Sequence, residues 1–467
     1  MVALWTLLAL SSCTLTSATP RLITARLVLS AKSPSWFGSS AISLQGPSDP
    51  IFMASTWVYE PTEVIGWRPS SNATAPAWVD NTSKDLQYQT LSVASPGMAA
   101  TAGLVDALAF WNRKPSGLNG ECVLFGFNSA RAPDLSFGPA TPSSWHFNLT
   151  EADCDNVNLA VPWSRFALSD DGSLAVAFVQ GADASVTLFA FDGATGAPRW
   201  TKHVPCGTPA ECPYFLAYGV DVSADGRFVL YDDGVEGAGA HRLNVLDAAT
   251  GAPRCAPVLS AGDIPTHSSG NGDFLMTADD GSAASTGVFS TWRWDAASEG
   301  YARVGGAAPP DAGDGSGWVL SQYAFSSDAE GNTWLGVVWF TASLTGPSVF
   351  AMYNASAPGV PVAHVTRPAL PGSDMSNAGA VVDCAGALCA AGLFTQKAGD
   401  VAQPTLIMLV ADAPASVFNV TTPGSVDAVS VAVAGAGRYY VLAAGCSSAS
   451  VCTQPGGDVR AYEVVVG

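Results

Sequence analysis

Residues 190–200 read Ala-Phe-Asp-Gly-Ala-Thr-Gly-Ala-Pro-Arg-Trp, and residues 245–255 read Val-Leu-Asp-Ala-Ala-Thr-Gly-Ala-Pro-Arg-Cys. In both copies an apolar stretch ends at an aspartate, a Thr-Gly pair follows, and a second stretch begins. Aspartate side chains accept backbone hydrogen bonds within turns, and glycine adopts a positive φ without steric penalty. The recurrence therefore predicts a β-hairpin that is repeated along the chain.

A second repeated feature is a turn rich in Ser, Asp and Gly that precedes a strongly apolar stretch. Such turns occur at 47–50, 101–103, 169–172, 223–226, 270–272, 326–331, 383–386 and 435–437. Their spacing of roughly 46 to 69 residues is typical of four-stranded propeller blades with variable loops. We predict an all-β chain, with residues 21–467 forming a single β-propeller domain. It has eight blades, or seven if the faint unit at 47–50 is not a blade, and two stacked β-sandwiches are the alternative.

The last repeat contains only three apolar stretches, at 428–433, 438–443 and 458–466. Residues 21–30 alternate between apolar and polar side chains as a β-strand does, so they can supply the fourth strand. Pairing the two chain ends would close the ring and remove an exposed sheet edge, which is the general hazard of β proteins. We therefore predict that the N-terminal strand pairs with the last blade.

The stretch at 190–200 resembles the Ala-x-Asp-x-x-Thr-Gly-x-x-x-Trp repeat of the quinoprotein-like β-propellers, a superfamily with WD40-like architecture. The copy at 245–255 keeps the Asp, Thr and Gly but has Cys255 in place of the Trp. The resemblance implies a propeller fold. Quinone-dependent dehydrogenases of this superfamily carry two adjacent cysteines over the cofactor, and this chain has no adjacent cysteines, so we expect no cofactor.

Residues 326–334 resemble the Asp-box of sialidases and related propellers, with one residue inserted. In those proteins the box helps a hairpin to fold and lies far from the substrate. The resemblance therefore implies a structural role for Asp328 and Trp334 rather than a catalytic one.

The N-terminus predicts export. Residues 1–18 have the short apolar core and small-residue end of a signal peptide, with cleavage after Ala18. The run that ends at Cys13 also looks like a bacterial lipobox, so a lipid anchor at Cys13 is the alternative. Acceptor sequons for N-glycosylation favour the secretory route; they lie at Asn72, Asn81, Asn148, Asn354 and Asn419.

Cysteine spacing agrees with an extracellular location. Three close pairs and one more distant pair are predicted disulfides: Cys206 with Cys212, Cys384 with Cys389, Cys446 with Cys452, and Cys122 with Cys154. Cys255 is left over and is expected to be a buried, inert thiol.

The charge balance excludes some partners. The chain has 39 Asp and Glu residues against 20 Lys and Arg residues, for a net charge of -19. Phosphate groups would be repelled, so we expect neither nucleic-acid nor anionic-membrane binding. No segment after the N-terminal one has the apolar length of a membrane span, and we expect a monomer.

Acidic loops are the sharpest candidate for a functional site. Two acidic runs, 232–236 and 279–280, follow the second strands of neighbouring units. Asp263 and His267 lie in the segment between those units. Clustered carboxylates can bind calcium, with Asp232, Asp233, Asp279 and Asp280 as the ligands; a solvated acidic rim is the alternative. The full predicted binding set is Asp232, Asp233, Glu236, Asp263, His267, Asp279 and Asp280.

These features predict a secreted, glycosylated propeller that binds a protein or carbohydrate partner, or acts as a scaffold. Trp36, Trp57, Trp78 and Trp145 lie near predicted loops and are candidates for a sugar-stacking surface. An extracellular glycoside hydrolase or lyase on the same fold is the alternative, because propellers host both kinds of function. A quinone-dependent oxidoreductase is the least expected reading.

Overall fold

The structure is a computed structural model of the chain. The described residues are 23–33, 37–56, 63–69, 76–80, 88–94, 105–113, 121–130, 144–149, 166–180, 186–204, 220–223, 225–232, 241–260, 272–278, 287–310, 317–341, 346–369, 375–397, 400–411, 417–422, 424–446 and 456–467.

The described strands form eight antiparallel sheets, which are the eight blades of a propeller. The strand nearest the N-terminus, β1 (Ile23–Ser33), belongs to the last blade. The first blade contains β2 (Phe37–Leu44), β3 (Pro50–Thr56), β4 (Val64–Trp67) and β5 (Trp78–Asp80). The second contains β6 (Tyr88–Ala94), β7 (Ala107–Arg113), β8 (Glu121–Phe127) and β9 (Ser144–Leu149). The third contains β10 (Phe166–Leu168), β11 (Leu174–Gln180), β12 (Val186–Asp192) and β13 (Pro198–Val204).

The next three blades follow in chain order. The fourth contains β14 (Val220–Val222), β15 (Phe228–Asp232), β16 (His241–Asp247) and β17 (Val258–Ser260). The fifth has three described strands, β18 (Phe274–Ala278), β19 (Phe289–Asp295) and β20 (Gly300–Ala307), and residues 261–271 before them lie outside the described part. The sixth contains β21 (Trp318–Ser327), β22 (Thr333–Thr341), β23 (Ser348–Asn354) and β24 (Ala363–Arg367).

The last two blades complete the ring. The seventh contains β25 (Met375–Ala385), β26 (Leu388–Lys397), β27 (Asp400–Val410) and β28 (Val417–Thr421). The eighth contains β29 (Ala428–Gly435), β30 (Arg438–Cys446), β31 (Gly457–Val466) and, from the other chain end, β1 (Ile23–Ser33). The prediction of an eight-bladed propeller is confirmed, and the seven-bladed and sandwich alternatives are wrong.

Ring closure is as predicted. β1 pairs antiparallel with β31 from Ile23 opposite Val466 to Ser33 opposite Gly457. The carboxylate of Glu463 binds Arg26 of β1 and Arg438 of β30, each at 2.5 Å. Because the closing strand comes from the opposite chain end, the eighth blade can form only when both ends are in place.

Successive blades meet face to face, and the apolar side chains are buried between them. One cluster joins Leu124 and Trp145 of the second blade to Phe166, Ala177 and Phe191 of the third. First strands of neighbouring blades contact each other, as β2 does β29 and β21 does β25, so the first strands surround the central channel. We call the end with first-to-second and third-to-fourth strand connections the turn face, and the opposite end the loop face.

The tryptophan of the repeat locks one blade to the next. The indole N–H of Trp145, on the outer strand of the second blade, donates to the carbonyl oxygen of Gly193 in the third blade at 2.9 Å. Trp200 does the same one blade later, to Ala248 at 2.8 Å. Both rings lie over glycines of positive φ, since a Cβ on Gly196 or Gly251 would approach the indole to within 3 Å. The repeat is therefore a docking device between blades.

The fourth blade departs from this pattern, because Cys255 stands where the tryptophan would be. The neighbouring Arg254 guanidinium lies 4.0 Å from the Phe228 ring and 4.5 Å from the Trp294 ring of the fifth blade. A cation over two aromatic faces thus replaces the indole at this interface. Cys255 is free and partly buried, and burial raises the pKa of its thiol, which makes it a poor nucleophile.

The segment that resembles an Asp-box folds as a hairpin turn. Asp328 Oδ1 accepts the backbone N–H groups of Glu330 and Asn332, at 3.1 and 2.8 Å. Its Oδ2 accepts the indole N–H of Trp334 at 2.8 Å. These hydrogen bonds hold the pKa of Asp328 below its usual value. The Asp328 carboxylate therefore stabilises the turn, as the resemblance to an Asp-box implies.

Replacing Gly196 by Ala should destabilise the protein strongly. The residue has a φ of 69°, and the new Cβ would meet the Trp145 ring at 2.5 Å. Backbone strain of about 1–2 kcal/mol adds to overpacking of about 1–3 kcal/mol. Gly331→Ala is the matched control, because Gly331 has a φ of 84° with nothing within 4 Å of the new Cβ. Urea unfolding should give the larger loss for Gly196→Ala, and equal losses would contradict indole docking.

Replacing Tyr353 by Phe should leave the stability unchanged or raise it slightly. The Tyr353 hydroxyl is buried and has no hydrogen-bond partner among the described residues. Removing an unsatisfied polar group costs nothing, whereas removing a bonded one costs about 1 kcal/mol. Tyr301→Phe is the comparison, because the Tyr301 hydroxyl donates to the carbonyl oxygen of Gly272 at 2.6 Å. Thermal unfolding should show a loss only for Tyr301→Phe.

Candidate functional site

Of the residues predicted to form the acidic site on the loop face, the structure describes only Asp232. Asp232 is the last residue of β15, where it pairs with Leu243 and is fully buried. Its burial does not suit a solvated rim. The other members lie outside the described residues: Asp233, Glu236, Asp263, His267, Asp279 and Asp280. In the part of the chain that the structure describes, no group of three His, Cys, Asp or Glu side chains is placed to hold a metal ion.

The predicted disulfides are also partly described. Cys384 and Cys389 are bonded and face each other across β25 and β26. Cys446 is disulfide-bonded, while its predicted partner Cys452 lies outside the described residues. Cys122 lies in β8, and its predicted partner Cys154 lies outside the described part, as do Cys206 and Cys212.

Two first-to-second strand turns on the turn face, in the third and fourth blades, share the same hydrogen-bond pattern. Ser169 Oγ and the Ser173 N–H both donate to Asp171 Oδ1, at 2.6 and 2.9 Å, and the Leu174 N–H donates to Ser169 Oγ. In the fourth blade Ser223 Oγ donates to Asp225 Oδ1 at 2.8 Å in the same way. The second aspartate of the Ser-Asp-Asp-Gly sequence therefore closes the turn.

The first aspartate, Asp170, takes no part in this turn network. The Asp170 side chain is exposed to solvent, and the protein atoms around it nevertheless desolvate its carboxyl. Desolvation is the largest cause that raises the pKa of Asp170, and the carboxylates of Asp221, Asp171, Asp225 and Asp383 add to it. Together they bring the pKa to about 7. Asp170 is thus close to half-protonated at neutral pH.

Asp383 enters the same site from the seventh blade. It lies in β25, and its carboxylate accepts the N–H of Cys384 at 2.9 Å and the N–H of Val431, in the eighth blade, at 2.7 Å. Burial raises the pKa of Asp383 to about 7 despite both hydrogen bonds. The charges of Asp221 and Asp383, from two other blades, thus contribute to the raised pKa of Asp170; we call Asp170, Asp221 and Asp383 the channel carboxyls.

The channel carboxyls can do two things chemically. A carboxyl with a pKa near 7 can donate or accept a proton at neutral pH, as general acids and bases do. Their combined negative potential also favours cations over anions. Both properties make the channel end, rather than the turn carboxylates around it, the chemically distinctive part of the described surface.

The sugar-stacking prediction is wrong for the two tryptophans that the structure describes. Trp78 and Trp145 are buried between blades, and their indole N–H groups donate to the carbonyl oxygens of Ser129 and Gly193. Trp36 and Trp57 lie outside the described residues.

Sequence reasoning missed Asp170 and Asp383 because both lie in segments that read as ordinary turns. The available signal was a difference between repeats, since Ser169-Asp170-Asp171-Gly172 corresponds to Ser223-Ala224-Asp225-Gly226. Asp170 is therefore an extra carboxyl at a position that the turn does not require. Asp383 gives no comparable signal, because its partner Val431 is brought to it only by the ring.

Comparison with known proteins identifies the fold. No protein-family profile matches the chain, and no curated protein matches it in sequence. The structure titled as a Dos1 propeller is similar with a TM-score of 0.54 and 11% identity, over 94% of each chain. A quinohemoprotein alcohol dehydrogenase from Pseudomonas putida HK5 is similar with a TM-score of 0.50 and 11% identity, over 94% of this chain and 76% of that one. The resemblance to quinoprotein-like and WD40-like propellers is thereby confirmed for the fold.

Proposed function

We propose that this chain is a secreted, glycosylated β-propeller that binds a protein partner through its loop face. The alternative partner from the sequence is a carbohydrate. The proposal goes beyond the similarity in fold, because proteins that share only 11% sequence identity can share a fold without sharing a function.

The distribution of long connections supports this choice of face. On the turn face, first-to-second strand turns such as 169–173, 386–387 and 436–437 are short, and their polar groups bond within the turn. On the loop face, most strands are joined by longer segments, which include 150–165, 205–219, 233–240 and 447–456, although the turn face has long connections of its own at 95–106 and 128–143. Long loops held on a rigid scaffold are where binding residues concentrate. The two long connections between consecutive blades on the loop face, 150–165 and 205–219, are the observation that carries the proposal.

The chemistry of the described side chains favours a protein over a carbohydrate. Of the four tryptophans that are candidates for stacking on a sugar, the two that the structure describes, Trp78 and Trp145, lie between blades. The net charge of -19 favours a partner that presents basic groups. A basic protein surface would gain attraction from the whole ring as well as from the loops that touch it.

Export and glycosylation are part of the same proposal. The buried disulfide between Cys384 and Cys389 suits an oxidising compartment. Of the described sequon residues, Asn148 and Asn419 are exposed on outer strands and have room for a glycan. Asn354 is partly buried, and its side-chain oxygen accepts the N–H of Ser356 at 2.9 Å. We therefore propose Asn148 and Asn419 as the occupied sites among these three.

An enzymatic role is the second candidate, and one observation favours it. The raised pKa of Asp170 beside Asp221 is the kind of environment that separates an acid from a base in glycosidases. A hydrolase or lyase would therefore use Asp170 as its proton donor. Hydrolysis of a panel of glycosides and polysaccharides that is lost in Asp170→Ala, but kept in Glu330→Gln, would establish it.

The binding proposal predicts that loop-face changes abolish capture of a partner. The full chain, secreted from eukaryotic cells, should be tested against arrayed extracellular proteins and arrayed glycans. A protein hit should weaken at least tenfold in surface-plasmon resonance when 233–240 is replaced by a Gly-Ser linker, and as salt is raised. Glu330→Gln, an exposed change on the turn face, should leave it unchanged. A hit confined to glycans, or one lost equally in both variants, would contradict the proposal.

A calcium site in the acidic loops remains part of the proposal and predicts a thermal shift. Calcium at a hundred times its dissociation constant stabilises the folded state by about 2.7 kcal/mol. The midpoint of thermal unfolding should rise in millimolar calcium and fall with chelator, and Asp233→Asn and Asp279→Asn should each remove the shift. Asp170→Ala is the control and should keep it. The absence of any shift in the wild type would rule out this site.

A further inference from the structure

The hairpin between the last two strands of a blade has the same local structure in the third, fourth and fifth blades. Each copy starts at an aspartate whose carboxylate accepts a hydrogen bond from the hydroxyl of the Thr or Ser three residues later; these are Asp192, Asp247 and Asp295. The next residue has a positive φ in all three copies, 69° at Gly196, 69° at Gly251 and 49° at Glu299. Glu299 therefore stands where the first two copies have glycine.

The tryptophan and the glycine of the docking contact are lost together. Gly251 of the fourth blade lies under Trp200 of the third, where a Cβ would approach the indole to 2.8 Å. One boundary later, the fourth blade has Cys255 in place of the tryptophan, and the fifth blade has Glu299 in place of the glycine. Both halves of the contact are therefore replaced at the boundary between the fourth and fifth blades.

The replacement contact is less favourable than the one it replaces. Arg254 stacks on Phe228 and Trp294, but its Nε is buried and has no hydrogen-bond partner among the described residues. A buried donor without an acceptor loses the hydrogen bond that water would give it. Glu299 adds backbone strain, because only glycine adopts a positive φ without steric penalty. At the preceding boundary Trp200 donates its indole N–H to a carbonyl oxygen at 2.8 Å.

We propose that the boundary between the fourth and fifth blades, which we call the seam, is where the ring opens first. The eighth blade is the obvious alternative, because its outer strand comes from the opposite chain end. That closure is well secured, since β1 pairs with β31 from Ile23 to Ser33 and Glu463 binds both Arg26 and Arg438 at 2.5 Å. The seam has instead lost the indole, gained an unsatisfied donor and acquired a strained turn.

Opening of the seam bears on the acidic runs of the loop face. The runs 232–236 and 279–280 begin where β15 and β18 end, and these strands belong to the two blades that meet at the seam. Opening therefore changes the separation of the two strand ends. Whether a ligand uses both runs rests on the proposed function, whereas the opening itself is measured without any ligand, so either can fail without the other.

Hydrogen exchange of the wild-type protein, followed by mass spectrometry of peptides, locates the first opening. A blade that undocks loses the cover of one apolar face, so its amides exchange through local unfolding. The slowest amides of 241–260 and 287–307, on the two sides of the seam, should be about tenfold less protected than those of 186–204 and 457–466. Lowest protection in 457–466, or equal protection in all four regions, overturns the seam.

Rebuilding the docking contact tests the cause of the opening. Cys255→Trp combined with Glu299→Gly restores both halves, and it frees Arg254 to bind the aspartate of its own hairpin, as Arg199 binds Asp192 at 3.1 Å. Protection of the slowest amides in 241–260 and 287–307 should rise by about tenfold, because exchange would then require global unfolding. Protection in 457–466 should not rise by more than the gain in global stability.

Cys255→Trp combined with Glu299→Gln is the matched control. Glutamine removes the charge of Glu299 but keeps the Cβ that would meet the new indole, so this variant should not gain protection at the seam. A Trp-Gly variant that folds without a regional rise in protection overturns the proposal. An equal rise in the control also overturns it, because the steric pairing of indole and glycine would then not be the cause.

Discussion

The docking of an indole from one blade onto the next is the contact on which this ring depends. A propeller blade has two apolar faces, and only the neighbouring blades can cover them. Trp78, Trp145 and Trp200 each cross that boundary and donate to a backbone carbonyl oxygen on the far side. Under the rings of Trp145 and Trp200, Gly196 and Gly251 of the next blade leave no space for a Cβ, so these contacts limit the distance between the blades.

Sequence was sufficient for the architecture because the docking device is local. The aspartate, the Thr-Gly turn and the tryptophan lie within eleven residues at 190–200, so the repeated hairpin can be recognised in the sequence. Ring closure was also predictable, since the last repeat lacked a strand that residues 21–30 could supply. The sequence also shows that Cys255 stands where the repeat has a tryptophan. It does not show that Arg254 takes over the contact, because Arg254 packs on Trp294 of the next blade.

The candidate site was much less predictable, for a physical reason. The acidic residues that attract attention in the sequence are grouped along the chain, as in 232–236 and 279–280. Asp170 and Asp383 are far apart in sequence, and only the closed ring lets their charges interact. A carboxyl becomes chemically distinctive through enclosure and through its neighbours, and neither can be read from a turn motif. Asp232 shows the converse, because a conspicuous acidic residue proved to be buried.

Hydrogen exchange of the indole N–H groups, followed by NMR, tests the central claim most directly. Single Trp→Phe variants would assign the resonances of Trp78, Trp145 and Trp200. If the docking contacts hold the ring, these protons exchange only through global unfolding, and their opening free energies equal that of unfolding in urea. Exchange at the rate of a solvent-exposed indole, in a protein that is otherwise fully folded, would contradict the account.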